Sequence, residues 1–194
     1  MYAGINDLYT GSSLPETIDS VRELCSSVTG VQLSVLFLEA LGLQRHLLPW
    51  QIVSVIPSYT LFGLNTPTIP VMLPNLFLLL DPNFWSTSIL WASVSILIPL
   101  FFAYFYNLSI RDVKRHGNRV TVARYQADPL TFHVVKALAT VIIFDKTFKF
   151  TFGGLLDQSV VQEVESAVYG GYRGMLLGSY VGMIAALYEA AQRK

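Results

Sequence analysis

Residues 84–106 read FWSTSILWASVSILIPLFFAYFY and contain no Asp, Glu, Lys or Arg over 23 consecutive positions. A bilayer core about 30 Å thick is crossed by a helix of roughly 20 apolar residues, because each residue adds about 1.5 Å of rise. Trp85 and Trp91 lie near one end of this stretch, whereas Tyr104 and Tyr106 lie near the other. Such aromatic rings are enriched at membrane interfaces. The stretch therefore predicts a transmembrane helix.

The composition of the whole chain agrees with a membrane protein. Of its 194 residues, 53% are hydrophobic and only 13% are charged, whereas about a quarter are charged in an ordinary soluble domain. Thirteen basic residues balance thirteen acidic ones, so no basic surface for nucleic acid is expected. A mean hydropathy of +0.49 excludes intrinsic disorder. The expected surroundings are the lipid bilayer and other membrane proteins.

Further apolar stretches predict an all-α, polytopic bundle of about five membrane segments, within a range of three to six. These segments cover about residues 28–43, 50–80, 84–107, 130–150 and 166–188. The 46–80 stretch contains five prolines, which remove backbone donors and restrict the residues before them. We expect a helix from about Trp50 to Phe62, a break, and a second short helix to Leu80. Residues 1–27 are expected to form a polar, acidic tail, and residues 28–194 a single membrane domain.

Basic residues predict which end of each segment faces the cytoplasm or its organellar equivalent. Five of them lie in a loop expected at 111–124, namely Arg111, Lys114, Arg115, Arg119 and Arg124. Such clusters mark the inner side of a membrane, and they also attract anionic lipid headgroups. Five crossings would then place the N-terminal tail outside and the C-terminus inside. If segment 28–43 or 130–144 lies in the interface, three or four crossings remain.

The first 27 residues show neither a secretory signal nor an arginine-rich transit peptide. This pattern favours a eukaryotic endomembrane, meaning the endoplasmic reticulum or the nuclear envelope. The mitochondrial inner membrane is the alternative, because internally targeted proteins of that membrane have the same appearance.

Small residues recur at every fourth position near the C-terminus. They are Ser166, Gly170, Gly174, Gly178, Gly182, Ala186 and Ala190. On one continuous helix they would line a slowly drifting stripe, and small residues let membrane helices approach closely. We therefore predict a glycine zipper whose partner is another helix of this chain, a second copy or a different subunit. A pore lined by the small residues is the alternative.

Four ionisable residues are predicted to lie at membrane depth: Glu39, His133, Lys136 and Arg173. His133 and Lys136 are three residues apart and so share one face of a helix. Arg173 is expected either to reach the headgroups or to pair with Glu39 or a lipid phosphate. A proton or ion relay through these groups is one interpretation. In the other, His133 and Lys136 lie within reach of the inner headgroups.

Motifs that would indicate catalysis are missing from the sequence. It has no G-x-S-x-G, no H-E-x-x-H and no phosphate-binding glycine loop, and its single cysteine, Cys25, excludes a cysteine-based zinc cluster. We therefore predict no catalytic residue, metal site or cofactor. The expected function is that of a structural or assembly subunit that docks through its C-terminal helix. The alternative is a small transporter or channel that uses the 46–80 region and the four ionisable residues.

Overall fold

The computed structural model describes residues 14–56, 60–61, 64–65, 68–115, 118–123, 125–145 and 156–192, and it is mostly helical. Its α-helices are α1 (Leu14–Cys25), α2 (Val28–Leu47), α3 (Pro82–Ala92), α4 (Ile98–Phe105), α5 (Pro129–Phe144), α6 (Gln158–Ala167) and α7 (Gly171–Ala191). A π-helical turn, Ser93–Leu97, joins α3 to α4, and Leu76–Leu80 forms a 3₁₀ helix. The strands are β1 (Trp50–Ile56), β2 (Thr60–Leu61), β3 (Leu64–Asn65), β4 (Ile69–Pro74), β5 (Ile110–Arg115) and β6 (Asn118–Ala123).

Helix α2, the continuous α3–α4 unit, α5 and α7 pack side by side as a bundle. The α5 N-terminus lies beside the end of α4, because the Asp128 N–H donates to the Ala103 carbonyl at 3.0 Å. The C-terminal part of α7 lies at the same end of the bundle, since the Tyr125 hydroxyl donates to the Glu189 carboxylate at 2.8 Å. Helix α5 therefore runs antiparallel to both α4 and α7.

Helix α2 also runs antiparallel to α7. A Cβ placed on Gly42 would lie 3.1 Å from the Ala167 carbonyl oxygen just before α7, whereas Val35 contacts Gly178 further along it. The beginning of α2 and the end of α7 consequently share one end of the bundle. The prediction that the N-terminal tail and the C-terminus lie on opposite sides of the membrane stays a prediction, because residues 1–13 and 193–194 lie outside the described residues.

Two helices in the described part of the chain are long and apolar enough to cross a membrane. They are Pro82–Phe105, with a mean hydropathy of 1.9, and Gly171–Ala191, with a mean hydropathy of 1.3. A third results if Thr17–Cys25 and Val28–Leu47, which meet at an 86° bend, form one broken span. Such helices are compatible with an integral membrane protein. The expected count of about five crossings is not confirmed.

The proline-rich region forms strands instead of the expected helices. Strands β1 and β4 pair antiparallel from Trp50 opposite Pro74 to Ile56 opposite Ile69, with a bulge between Ile52 and Ser54. β-Branched residues crowd β1 and favour extended backbone, and a two-stranded sheet has only edge strands, where proline is tolerated. The predicted helices from Trp50 to Phe62 and on to Leu80 were therefore wrong, except for the single 3₁₀ turn at Leu76–Leu80.

The stretch expected to be a basic loop at 111–124 is a second hairpin. Strands β5 and β6 pair in register from Ile110 opposite Ala123 to Arg115 opposite Asn118. Four of the predicted basic residues, Arg111, Lys114, Arg115 and Arg119, belong to these strands, and Arg124 lies outside the described residues. The hairpin joins α4 to α5 at the end of the bundle where α7 ends.

The predicted C-terminal helix over 166–188 is interrupted. Helix α6 ends at Ala167, and Gly170 and Gly171 adopt positive φ angles of 74° and 60° before α7 continues. Glycine allows this left-handed turn because it has no Cβ to clash with the backbone. Ser166 therefore belongs to α6, and Gly170 precedes α7. The remaining small residues, from Gly174 to Ala190, share one helix.

An apolar core fills the end of the bundle opposite the α5 N-terminus. It is formed by the end of α2, the start of α3, the end of α5, α6 and the start of α7. Its largest buried side chains include Leu43, Phe84, Trp91, Phe144 and Met175.

Helices α3, α5 and α6 each have an aspartate as their N-cap residue. The carboxylate of Asp157, the N-cap of α6, has a lowered pKa because it accepts hydrogen bonds from Ser159.

Candidate functional site

The bundle interior contains an ion pair between α2 and α5. The Lys136 Nζ lies 2.6 Å from the Glu39 Oε1, and the two side chains are 0% and 7% exposed. Asp128 caps α5 and Pro129 begins it, which fixes the start of the helix and directs Lys136 inward two turns later. Removing two charges from water is costly unless they are paired and hydrogen-bonded. The short contact between the two opposite charges therefore offsets part of the cost of burying them.

A hydroxyl from a third element completes the environment of Glu39. The Ser95 Oγ donates to the Glu39 Oε2 at 3.3 Å and is fully buried. Ser95 lies in the π-helical turn, where the Ile98 N–H donates to the Ser93 carbonyl five residues earlier. Pro99 follows and lacks the N–H that would bond to Ser95, so the wider turn accommodates the missing hydrogen bond. Such turns are frequent at functional sites.

His133 lies one helical turn before Lys136 and is 1% exposed. Neither ring nitrogen has a hydrogen-bond partner among the described residues. The imidazole ring lies directly against Gly182 of α7, where a Cβ would overlap with three ring atoms. A buried polar group without a partner costs about 1–3 kcal/mol. His133 is therefore an unsatisfied base in the interior of the bundle.

Glycines of α7 cover both buried groups. A Cβ on Gly178 would lie 2.5 Å from the Val35 Cγ1 and 3.4 Å from the Glu39 Oε1. Gly182 takes the same position over His133. The small residues and the ionisable residues, which the sequence presented as separate motifs, thus meet at one site. We call Glu39, Ser95, His133 and Lys136 the polar centre.

The other predicted small residues do not reach the polar centre through a close contact. Gly174 lies against the Tyr169 carbonyl of its own turn, while Ser166, Gly170 and Ala190 are exposed and Ala186 is half-buried. Within the chain, the close approach is thus carried by Gly178 and Gly182. A zipper along the whole series is not confirmed.

Arg173 lies outside the polar centre. It is exposed near the start of α7 and lines an open surface pocket with Asp145, Glu165 and Tyr172. The alternative in which Arg173 pairs with Glu39 was wrong, because Lys136 occupies that position. The exposed guanidinium agrees with the alternative expectation that Arg173 reaches toward the headgroups.

Two polar features of the bundle are not marked by any motif in the sequence. Ser95 had no charge to mark it, although its position four residues before Pro99 signals a disturbed helix. Thr87, which is fully buried in α3, donates to the Glu163 Oε2 at 3.0 Å and so ties α3 to α6. No local pattern indicates that contact, since the two residues are 76 positions apart.

The polar centre can hold a fixed pair of opposite charges and a neutral base in an environment without bulk water. Among the described residues, no group of three His, Cys, Asp or Glu side chains is arranged to hold a metal ion. No family model, curated protein or solved structure compared with this chain is similar to it.

Proposed function

We propose that this chain is a non-catalytic integral membrane protein that serves as a structural or assembly subunit of a larger membrane complex. The observation that carries the proposal is the pair of strands β1 and β4, which we call the apolar hairpin. Six of its large apolar side chains are between 49% and 65% exposed. They are Trp50, Ile52, Val53, Val55, Met72 and Leu73.

The exposed side chains point to both faces of the hairpin, since consecutive residues of a strand alternate between faces. Met72 and Leu73 are neighbours in the regularly paired part of β4, and both are about half exposed. In the described part of the chain, each strand has one neighbour and one free edge. An apolar two-stranded hairpin of this kind is at best marginally stable in water.

Lipid does not provide a suitable cover for the apolar hairpin. Open sheet edges do not occur in the hydrocarbon region, because their free N–H and C=O groups find no partner there. A protein surface supplies both apolar contacts and, at the edges, hydrogen-bonding groups. The hairpin therefore suits docking against another subunit or a second copy of this chain.

The proposal moves the docking surface away from the C-terminal helix. Gly178 and Gly182 contact α2 and α5 of the same chain. The close helix packing that these glycines allow therefore occurs within the chain. The broken-helix part of the transporter alternative also loses its basis, because residues 50–56 and 69–74 form strands. We further propose the endoplasmic reticulum or nuclear envelope as the location, with the mitochondrial inner membrane as the alternative, which imaging of the tagged protein would distinguish.

The experiment is purification in mild detergent followed by measurement of the protein mass in the complex by light scattering. The test variant is Ile52→Lys with Met72→Glu. These residues are directly opposite each other in the hairpin, so the new charges attract across the strands while two apolar side chains are lost. We expect the wild-type mass to exceed that of one chain and the variant mass to fall toward it.

The matched control is Gln51→Lys with Ser54→Glu, which adds the same charges to exposed positions of β1 without removing an apolar side chain. The control should keep the wild-type mass. A wild-type protein that purifies as a single chain with nothing bound would contradict the proposal, and so would a test variant that keeps the wild-type mass.

A further inference from the structure

Helix α1 is amphipathic, and the described part of the chain does not cover its apolar face. Ile18, Val21 and Cys25 are three and four residues apart, so they share one face of the helix. Ile18 and Val21 are 52% and 53% exposed, and Cys25 is exposed as well. Asp19 and Glu23, four residues apart, share the opposite face. An apolar stripe and a charged face thus lie on opposite sides of one exposed helix.

The junction between α1 and α2 holds the two helices almost perpendicular, at 86°. The Ser27 Oγ accepts a hydrogen bond from the Gly30 N–H at 3.0 Å and donates to the Leu24 carbonyl at 2.6 Å. The Ser26 Oγ donates to the Arg22 carbonyl at 2.7 Å. A Cβ on Gly30 would overlap with the Leu24 carbonyl oxygen, so the close approach requires glycine. Because α2 packs along α7, the fixed bend directs α1 across the end of the bundle.

This end of the bundle coincides with the end of the apolar helix Pro82–Phe105. Glu39 and Ser95 are in contact, which places them at one depth. Val28, the first residue of α2, is eleven residues from Glu39, and Phe105, the last residue of α4, is ten residues from Ser95. At about 1.5 Å per residue, these separations are about 16 and 15 Å. Helix α1 therefore joins α2 at the depth where the apolar span ends.

Exposed tyrosines mark the same depth as a membrane interface. Tyr104 and Tyr106 are exposed at the end of α4, and Tyr188 is exposed in the last turn of α7. Tyrosine is enriched at the level of the headgroups, where its ring contacts apolar chains and its hydroxyl contacts water. Gly178 lies beside Glu39, and Tyr188 follows it by ten residues, or about 15 Å. The side chains around α1 are consequently those expected at a lipid boundary.

We propose that α1 lies in the plane of the membrane interface, with Ile18, Val21 and Cys25 at the boundary between headgroups and acyl chains. Asp19 and Glu23 then face water. Helices of this kind bury their apolar face about 5–10 Å into that boundary. Lipid can cover α1, unlike the edges of the apolar hairpin, because a helix bonds its backbone groups internally.

The charges of α1 determine which lipid is sufficient. The helix contains three carboxylates and one arginine, so it has no attraction to anionic headgroups. Zwitterionic phosphatidylcholine is therefore enough to hold it through apolar contacts. A full crossing by α1 would place the same charges in hydrocarbon, which is costly.

The test attaches a nitroxide label to single cysteines of the purified full-length chain in phosphatidylcholine vesicles. Cys25→Ser supplies a background without cysteine, in which the labelled variants are Ile18→Cys, Val21→Cys, Asp19→Cys and Glu23→Cys. Collisions of the label with oxygen report lipid, whereas collisions with a water-soluble nickel chelate report water. We expect labels at 18 and 21 to collide more with oxygen than with the chelate, and labels at 19 and 23 to show the reverse.

A matched pair of variants tests whether apolar contact holds α1 in the interface. Val21→Asp and Ser20→Asp introduce the same side chain at neighbouring positions, but only the first lies on the apolar face. With the label on the natural Cys25, Val21→Asp should shift the collisions from oxygen toward the nickel chelate. Ser20→Asp should leave them as in the wild type.

Four results would overturn the proposal. Contact of all four scanned positions with the nickel chelate would show that α1 lies in water, and oxygen-dominated collisions at all four would show that it crosses the membrane. Labels at 18 and 21 shielded from both probes would show that a protein covers the apolar face. An unchanged label in Val21→Asp would show that apolar contact does not hold the helix. The apolar hairpin follows the other end of α2, so the mass measurement on its variants is independent of these results.

Discussion

Replacing Lys136 with Met is expected to destabilise the fold by about 3–5 kcal/mol, because the change leaves the carboxylate of Glu39 buried without its counter-ion. Lys136 is fully buried and Glu39 is nearly so. The remaining hydrogen bond from Ser95 is 3.3 Å long, which is beyond the usual length for a hydroxyl donor. It cannot replace a charged contact of 2.6 Å. Glu39→Gln should cost a similar amount by leaving the ammonium unpaired.

The double variant Glu39→Gln with Lys136→Met should remain within about 1 kcal/mol of the wild type, since neutral groups of similar volume often replace a buried ion pair without loss. The two single changes therefore should not be additive. A double-mutant cycle isolates this interaction, and we expect a coupling free energy above about 3 kcal/mol.

The assay is reversible unfolding in mixed micelles with increasing dodecyl sulfate, followed by far-ultraviolet circular dichroism. Ser179→Ala serves as the control, because it removes one neutral hydrogen bond within a helix and should cost about 1 kcal/mol or less. The reasoning is refuted if Lys136→Met unfolds like the control, or if the double variant loses as much stability as the two single variants together.

Three further changes test other parts of the structure. Gly182→Ala should cost about 1–3 kcal/mol in the same unfolding assay, because the new Cβ overlaps with the His133 ring; an unchanged midpoint would show that the ring moves freely. Asp128→Ala removes the acceptor for the Thr131 N–H at 2.9 Å and should cost about 1 kcal/mol, seen as faster hydrogen exchange in the first turn of α5 only. Gly170→Ala places a Cβ on a backbone with φ of 74° and should lower stability by about 1–2 kcal/mol, whereas no loss of thermal stability would indicate that the turn relaxes.

The parts of the fold that could be predicted from sequence are those with a strong local signal. The charge-free stretch of residues 84–106 forms the α3–α4 unit, and Asp128 followed by Pro129 marks the beginning of α5. A long apolar run and an N-cap act within one element, so the packing of neighbouring elements does not alter the structure that they predict. These predictions needed no knowledge of the tertiary structure.

The errors have a different physical origin. Apolar composition cannot distinguish a membrane helix from an apolar strand. The β-branched residues in 52–56 favour the extended backbone of a strand. In the C-terminal region, the spacing of small residues was correct for a helix, but two adjacent glycines at 170–171 allowed a turn that ended it. Periodicity records which residues share a face only if the helix is continuous.

Three of the four members of the polar centre were predicted from the sequence, whereas Ser95 and the pairing of Glu39 with Lys136 were not. Glu39, His133 and Lys136 were marked by charge alone, but the partner considered for Glu39 was Arg173, as one alternative, and the pairing with Lys136 was not predicted. The choice depends on geometry across 97 residues of sequence, which no local pattern contains. Ser95 was missed because a serine in a membrane helix is common and its role arises from the π-helical turn.

The glycines and the polar centre depend on each other. The ion pair is buried, and the glycines of α7 place backbone directly against Glu39 and His133. A larger residue at position 178 or 182 would push α7 outward and admit water, which weakens the electrostatic attraction between buried charges. A variant such as Gly178→Leu therefore tests the interior of the chain before it tests any contact with a partner. Loss of assembly in that variant would consequently be evidence about folding, whereas the changes in the apolar hairpin test the proposed docking directly.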